Sequence, residues 1–273
     1  MGADHEKADS VYEFLYVDLE RVSLLLSQFG SDGVLKELTR ETVAGSGSHR
    51  GVDLKLVQLG SNEDETKGLT RTYDPRWLLP LIFLDKVQDR LRASIMGAKL
   101  GELLLAKGSL AVISTAVLQT LYSKEALQTI AIKKAMQRAE EAGAEFDFDN
   151  AQFELDAIIH SDPHVQMHFR TESGQRIWST LRADGLVTPA SELALKHGAT
   201  LDGIWHVVGI KDADPIRDLA ALEAQEQRLQ RDFADVPFVG ESVIVSSALR
   251  RMFGRPVGAY GVTPVLIFRQ IGG

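Results

Sequence analysis

The sequence contains no cysteine. Disulfide bonds, thiolate catalysis and cysteine-containing zinc sites are therefore excluded. It also has no excess of basic residues, because 30 Lys and Arg stand against 38 Asp and Glu and give a net charge of −8. Most of a protein's affinity for nucleic acid comes from neutralising phosphates, so we do not expect general nucleic-acid binding.

Long apolar runs are absent as well. The longest, residues 77–84, is interrupted by Pro80 and is far shorter than the ~20 residues of a membrane-spanning helix. Residues 1–10 are polar and lack the apolar stretch of a signal peptide. We therefore expect a soluble, cytoplasmic protein without a membrane partner, and a large core without disulfides fits that reducing compartment.

Composition and patterning indicate an ordinary folded chain. Hydrophobic residues make up 44% of the 273 residues and charged residues 25%, as in most globular proteins. Strand and helix patterns follow one another irregularly, so we expect an α+β fold with a mixed or mainly antiparallel sheet and packed helices. Its predicted parts are a polar leader at 1–10, an N-terminal α+β part at 11–150 and a C-terminal α+β part at 151–273, together forming one compact unit.

Individual elements can be placed from residue patterns. Asp18 is expected to cap a helix that ends at Gly30, and Asp74 with Pro75 to begin another whose buried face includes Trp77. Strands are predicted at 11–17, 192–196, 204–210 and 262–268, with two short strands within 102–113. Helices are predicted at 114–122, 126–142, 174–181, 242–253 and from 215 onward, and a loop leading into a short helix at 147–156.

Residues 44–68 contain two loops rich in glycine and serine around an alternating strand at 52–56. Segments held only by long polar connections open locally at a low free-energy cost, and an apolar strand can receive a partner chain. We predict that this segment is the most mobile part of the fold and takes part in self-association or in binding another protein. An ordinary surface hairpin is the alternative.

His160, His164 and His168 fall within one short segment. Helical spacing would place the three imidazoles on one face, where they can share a divalent metal, with Asp156 or Asp162 as a further ligand. A proline within the segment opposes one continuous helix, whereas a strand would still place His164 and His168 on the same side. The alternative is a cluster satisfied by ordinary hydrogen bonds, without a metal.

Residues 254–261 form a glycine-rich loop after a predicted helix end. Arg255, Gly258, Tyr260 and Gly261 are candidates for binding an anion through side chains and backbone amides. A helix C-terminus followed by turns explains the same glycines without a ligand. No complete phosphate-loop, serine-hydrolase or metalloprotease motif is found in the sequence.

Five strings in fixed order carry a resemblance to a known family. They are FLYVD at 14–18, TYDPRW at 72–77, GELLLAKGSLAVIS at 101–114, KHGATLDGIWHVVGIKDADP at 196–215 and TPVLIFR at 263–269. Together they resemble an uncharacterised bacterial family, domain of unknown function 6414, over most of the chain. The resemblance implies no catalytic residues; its recurring residues are structural, with Asp18 and Asp74 as caps, Trp77 and Trp205 as anchors, and glycines at Gly101, Gly108, Gly203 and Gly209.

Three functions remain open at this point. The first is a non-enzymatic cytosolic binding or regulatory protein, an accessory component of a bacterial system such as phage defence, which the lack of a complete catalytic constellation and the family resemblance favour. The second is a metal-dependent hydrolase that uses the three histidines. The third is a sensor of a small anionic ligand or nucleotide that binds at residues 255–261.

Overall fold

A computed structural model describes residues 11–29, 38–42, 69–73, 75–236, 250 and 253–271. Its elements confirm the α+β fold. Contacts divide the described residues into one unit within 17–91 and a larger unit within 92–271 that also includes residues 11–16. The predicted division near residue 150 falls inside α5 (Phe148–His160), a helix of the larger unit.

The described residues of the smaller unit form two α-helices and a pair of strands. These are α1 (Leu19–Phe29), β2 (Leu38–Thr42), β3 (Leu69–Tyr73) and α2 (Pro75–Val87), with β2 and β3 antiparallel. The carboxylate of Asp18 accepts a 2.9 Å hydrogen bond from the backbone nitrogen of Arg21, which confirms the predicted cap. Asp74 and the predicted mobile segment at 44–68 lie outside the described residues.

The buried face of α2 differs from the prediction. Leu79, Phe83 and Val87 are at most 3% exposed, whereas Trp77 is 60% exposed. Two residues along a helix turn the side chain by about 200°, so Trp77 lies opposite the face that Leu79 begins. The interpretation of Trp77 as a core anchor is therefore wrong.

Six strands form the sheet of the larger unit. They are β1 (Val11–Val17), β4 (Leu103–Ser114), β5 (Val165–Thr171), β6 (Arg176–Leu181), β7 (Thr200–Ala213) and β8 (Ala259–Ile271), in the order β1-β8-β6-β5-β4-β7. Because β8 also pairs with β7, the strands β4 to β8 close into a ring. The β6–β8 pair is parallel, while β4–β5, β4–β7, β5–β6 and β7–β8 are antiparallel.

The core of this unit is made by alternate residues of the ring strands. Leu110 and Val112 of β4, Met167 of β5, Ile177 of β6 and Val207 of β7 are all at most 5% exposed and belong to one cluster. Alternate residues of a strand share one face, so this cluster occupies the inner side of the closed sheet. Fully burying each such side chain stabilises the fold by roughly 1.5–3 kcal/mol.

Residues 102–113 form the single strand β4 rather than two short strands. The pairing of β4 with β7 shifts register between Gly108 and Leu110, so the chain bends without ending the strand. A Cβ atom at Gly108 would overlap the backbone oxygen of Arg170. The glycine thus marks a close approach of two strands, and the prediction of a break there is wrong.

Two further elements have the opposite type to the prediction. Residues 174–181 are a turn at Gly174, whose φ is 88°, followed by strand β6 instead of a helix. Residues 192–196 belong to α6 (Ala190–His197) instead of a strand. In α6 only Leu193 is buried, whereas in β6 alternate residues are buried.

The remaining helices agree more closely with expectation. Those predicted at 114–122 and 126–142 correspond to α3 (Thr115–Tyr122) and α4 (Glu125–Glu141). The helix expected from 215 is α7 (Leu219–Asp232), capped by Asp218. The helix expected at 242–253 lies mostly outside the described residues. Within the described ranges, none of the helices has both the length and the apolar character needed to cross a membrane.

Three other residues named for structural roles occupy constrained positions. Trp205 is 2% exposed, and the guanidinium carbon of Arg269 lies 4.8 Å from its ring centroid. Gly203 has a φ of 92°, and a Cβ atom at Gly209 would lie 2.6 Å from Cγ1 of Val262. The burial and the ring contact confirm Trp205 as an anchor. The positive φ of Gly203 and the lack of space at Gly209 each favour glycine at that position.

Candidate functional site

A cavity of about 480 Å³ lies within the larger unit. Residues of β4, β5, β6, the start of β7 and the chain around the start of β8 line it. Its polar residues alternate with the core residues of the same strands, so they belong to the outer face of the closed sheet. Among the lining residues are Ser109, His168, Arg170, Arg176, Trp178 and Asp202.

One line of residues across the sheet carries two arginines. Arg170 of β5 lies directly opposite Arg176 of β6. On the neighbouring strands, Ser109 of β4 lies opposite Arg170, and Ala259 of β8 lies opposite Arg176. We call these four residues the arginine row. The Cβ atoms of directly opposite residues are about 4.5–5.5 Å apart, and like charges in this relationship destabilise a sheet.

The two guanidiniums differ in their contacts. Nη2 of Arg176 donates a 2.7 Å hydrogen bond to the backbone oxygen of Val257, which fixes that side chain against the turn before β8. Arg170 is exposed, and neither arginine forms an ion pair with a carboxylate among the residues that the structure describes. Both positive charges are therefore available to a ligand.

A second line of residues, two positions along each strand, carries an aromatic side chain. Trp178 lies opposite His168, His168 opposite Ala111, and Ala111 opposite Thr200. We call these four residues the tryptophan row; it is about 7 Å from the arginine row, since each residue of a strand advances 3.2–3.4 Å. The indole nitrogen of Trp178 is buried and has no hydrogen-bond partner among the described residues.

A chain of hydrogen bonds sets the tautomer of His168. Nε2 of Gln166 donates to the backbone oxygen of Phe253 and lies 2.9 Å from Nε2 of His164. That imidazole nitrogen must accept, so the proton of His164 is on Nδ1, 3.0 Å from the backbone oxygen of Asp162. The amide oxygen of Gln166 lies 3.3 Å from Nε2 of His168, which therefore donates its proton to this oxygen.

The electrostatics of the cavity follow from this arrangement. Burial lowers the pKa of His168 below its ordinary value of 6.5, so the imidazole is mostly neutral at pH 7. Two arginines and one carboxylate, Asp202, remain as the charged residues of the lining. The cavity is a positive site on a chain whose net charge is −8.

The three histidines of the predicted metal site are not brought together. His160 ends α5 with Nδ1 2.8 Å from the backbone oxygen of Asp156, and His164 is held by Gln166 and by Thr115. Among the described residues, no group of three His, Cys, Asp or Glu side chains is arranged to hold a metal ion. The strand geometry does place His164 and His168 on the same side, where both contact Gln166.

The residues named in the loop at 254–261 make structural contacts. Arg255 donates hydrogen bonds to the backbone oxygens of Asp214 and Ala259, and Tyr260 contacts the core and the ammonium of Lys211. Gly258 has a φ of 76°, and Gly261 pairs with Trp178 of β6. The neighbouring Pro256 and Ala259, which the sequence did not single out, line the cavity.

Arg170, Arg176 and Trp178 were not predicted as site residues from the sequence. The signal was an alternation on both sides of the turn at Gly174: Gln, His and Arg at 166, 168 and 170, and Arg, Trp and Thr at 176, 178 and 180. In a hairpin these residues share one face. Prediction of a helix at 174–181 hid that relationship.

No protein-family model, no curated protein and no solved structure matches this chain.

Proposed function

We propose that the protein binds a small organic anion in the cavity between the arginine row and the tryptophan row. The observation that carries the proposal is the position of Arg170 directly opposite Arg176, with no carboxylate of the described residues paired to either of them. Two like charges so placed repel each other. An anion bound between them replaces that repulsion with charge-assisted hydrogen bonds, which guanidinium groups form in pairs with phosphate or carboxylate.

The size of the cavity supports an organic ligand. Binding sites for small organic molecules have volumes of roughly 300–1,000 Å³, and this cavity, at about 480 Å³, lies within that range. Trp178 adds aromatic surface to the lining. A bare inorganic ion would leave most of this space unused.

Among the functions that the sequence leaves open, this proposal supports the anionic-ligand sensor, at a site displaced from residues 255–261 to the adjoining cavity. It is also compatible with a non-enzymatic binding or regulatory protein that responds to its ligand. The setting in bacterial defence, the relationship to domain of unknown function 6414, the cytoplasmic location and a protein partner remain proposals that rest on the sequence.

A binding screen tests the function directly. Pyrophosphate, citrate, ribose 5-phosphate and adenosine 5′-monophosphate are each titrated into the wild-type protein, Arg170→Gln and Arg228→Gln by calorimetry. We expect at least one anion to bind the wild type and to bind Arg170→Gln about tenfold or more weakly, because a hydrogen bond to a charged group contributes about 1.5–3 kcal/mol. Arg228 is exposed on α7, so its variant controls for the change in net charge.

Two results oppose the proposal. One is that none of these anions binds the wild-type protein. The other is that Arg170→Gln and Arg228→Gln weaken binding equally, which would mean that only the net charge matters.

A further inference from the structure

We infer that the ligand of this cavity is a free nucleoside monophosphate; the inference rests on the proposed function and narrows its ligand class. Three kinds of residue line the cavity: the arginines Arg170 and Arg176, the aromatic Trp178, and the oxygen-bearing Ser109, Thr200 and Asp202. A nucleoside monophosphate carries a partner for each, namely a phosphate, a flat base and the hydroxyl groups of a sugar.

The arginine row is suited to the phosphate. Arg176 is fixed by its hydrogen bond to Val257, and Arg170 lies directly opposite it. Ser109, opposite Arg170 on the other side, adds a hydroxyl donor at the same level. A terminal phosphate has several oxygen atoms exposed to such donors, whereas a phosphodiester within a chain has fewer.

The tryptophan row is suited to the base. Trp178 and His168 are directly opposite and both partly buried, so the ligand meets two aromatic rings side by side. Aromatic side chains bind nucleobases by stacking, since every base has a π face. The separation of about 7 Å between the two rows is a distance that one sugar bridges.

Asp202 argues against a polynucleotide. It lies at the start of β7, on the far side of β4 from Arg170, and its side chain is exposed. A carboxylate accepts hydrogen bonds from hydroxyl groups but repels a further phosphate. Affinity for a strand would need a track of basic residues, and the chain has a net charge of −8.

Calorimetry with matched probes tests the ligand class on the full chain. The probes are adenosine 5′-monophosphate, ribose 5-phosphate, adenosine, and a 5′-phosphorylated dinucleotide. We expect the monophosphate to bind the wild type at least tenfold more tightly than ribose 5-phosphate, which lacks the base, and than adenosine, which lacks the phosphate. The dinucleotide is expected to bind more weakly than the monophosphate.

Trp178→Leu separates the base from the phosphate. In this variant the monophosphate should lose its advantage over ribose 5-phosphate, while affinity for ribose 5-phosphate changes by less than threefold. If Trp178→Leu does not fold, the comparison of the four probes on the wild-type protein is by itself the test of whether the base is recognised. Quenching of tryptophan fluorescence by the monophosphate, but not by ribose 5-phosphate, gives an independent readout.

The outcomes distinguish this inference from the proposed function. Equal affinity for ribose 5-phosphate and the monophosphate, both weakened in Arg170→Gln, would overturn the ligand class and leave anion binding intact. Tighter binding of the dinucleotide would overturn the inference of a free monophosphate and would indicate that the cavity binds the end of a nucleic-acid strand. Absence of binding by every phosphate probe would overturn this inference, and absence of binding by citrate as well would overturn both.

Discussion

Nζ of Lys211 donates a 2.7 Å hydrogen bond to the backbone oxygen of Ala98. Lys211 is only 3% exposed, and its ammonium lies 2.7 Å from the carboxylate of Asp214 and 5.1 Å from the ring centroid of Tyr260. Its backbone oxygen accepts from the nitrogen of Gly101. Backbone and side chain of this one residue thus hold the segment before β4 against β7.

Replacing Lys211 by alanine is expected to destabilise the fold. Loss of a charge-assisted hydrogen bond and the cavity left by the side chain together predict a decrease of about 2–4 kcal/mol in the free energy of unfolding. Urea denaturation followed by circular dichroism measures it. Lys196→Ala is the control, because Lys196 forms a surface ion pair with Glu192 that is worth at most about 1 kcal/mol. Equal losses in the two variants would contradict the role assigned to Lys211.

Gly108→Ala is expected to weaken the closed sheet. The added methyl group would overlap the backbone oxygen of Arg170, and separating β4 from β5 at this point costs about 1–3 kcal/mol or more. The measurement is again the free energy of unfolding. Gly97→Ala is the matched control, because the nearest atom to its added Cβ lies 3.9 Å away; a loss in Gly108→Ala no larger than in this control would contradict the close approach.

The elements predicted correctly are those whose pattern is local. Strand β1 and helices α3 and α4 carry their signal within their own residues. Errors arose where one residue disturbed the pattern. Ser179 of β6 is buried and conceals the alternation of a strand, whereas Leu193 and Leu195 alternate in sequence although Leu195 is 88% exposed on α6. Tertiary packing decided both cases.

The candidate site was less accessible to sequence reasoning because it depends on register. Arg170 and Arg176 are neighbours only if the turn at Gly174 joins two strands, and Asp202 joins them only through the pairing of β4 with β7. Residue types near one another in sequence, such as the three histidines, were easier to notice. One of those histidines, His168, does line the cavity, because the pairing of β5 with β6 places it opposite Trp178.

The pH dependence of stability should carry a contribution from two histidines. Burial lowers the pKa of His168 and of His206, with the charge of Lys107 lowering that of His206 further and Glu172 opposing it. Between these lowered values and the ordinary value of about 6.5, the unfolded chain binds more protons than the folded chain. The free energy of unfolding therefore falls as pH decreases through that window, and the loss is complete below the folded-state pKa values.

A double variant isolates this contribution. His168→Gln with His206→Gln should show a smaller loss of stability between about pH 7.5 and pH 5 than the wild type, since the substituted groups no longer titrate. Urea denaturation at several pH values provides the comparison. A double variant with the wild-type slope would show that the two imidazoles do not contribute.

Reversing one charge of the arginine row should separate stability from binding. In Arg170→Glu, the residue that faces Arg176 across the strands carries a negative charge. A favourable cross-strand pair of this kind contributes roughly 0.2–1 kcal/mol. We therefore expect the free energy of unfolding to rise by a few tenths of a kcal/mol or more at low salt, and the gain to shrink in high salt because exposed charges are screened. The same variant should lose anion binding, since the carboxylate repels the ligand. Arg228→Glu makes an equal change in net charge on α7. It should leave anion binding unchanged and should not raise the free energy of unfolding by a comparable amount. If Arg170→Glu is no more stable than the wild type at low salt, Arg170 and Arg176 do not repel each other, and the main support for an anion site between them is lost.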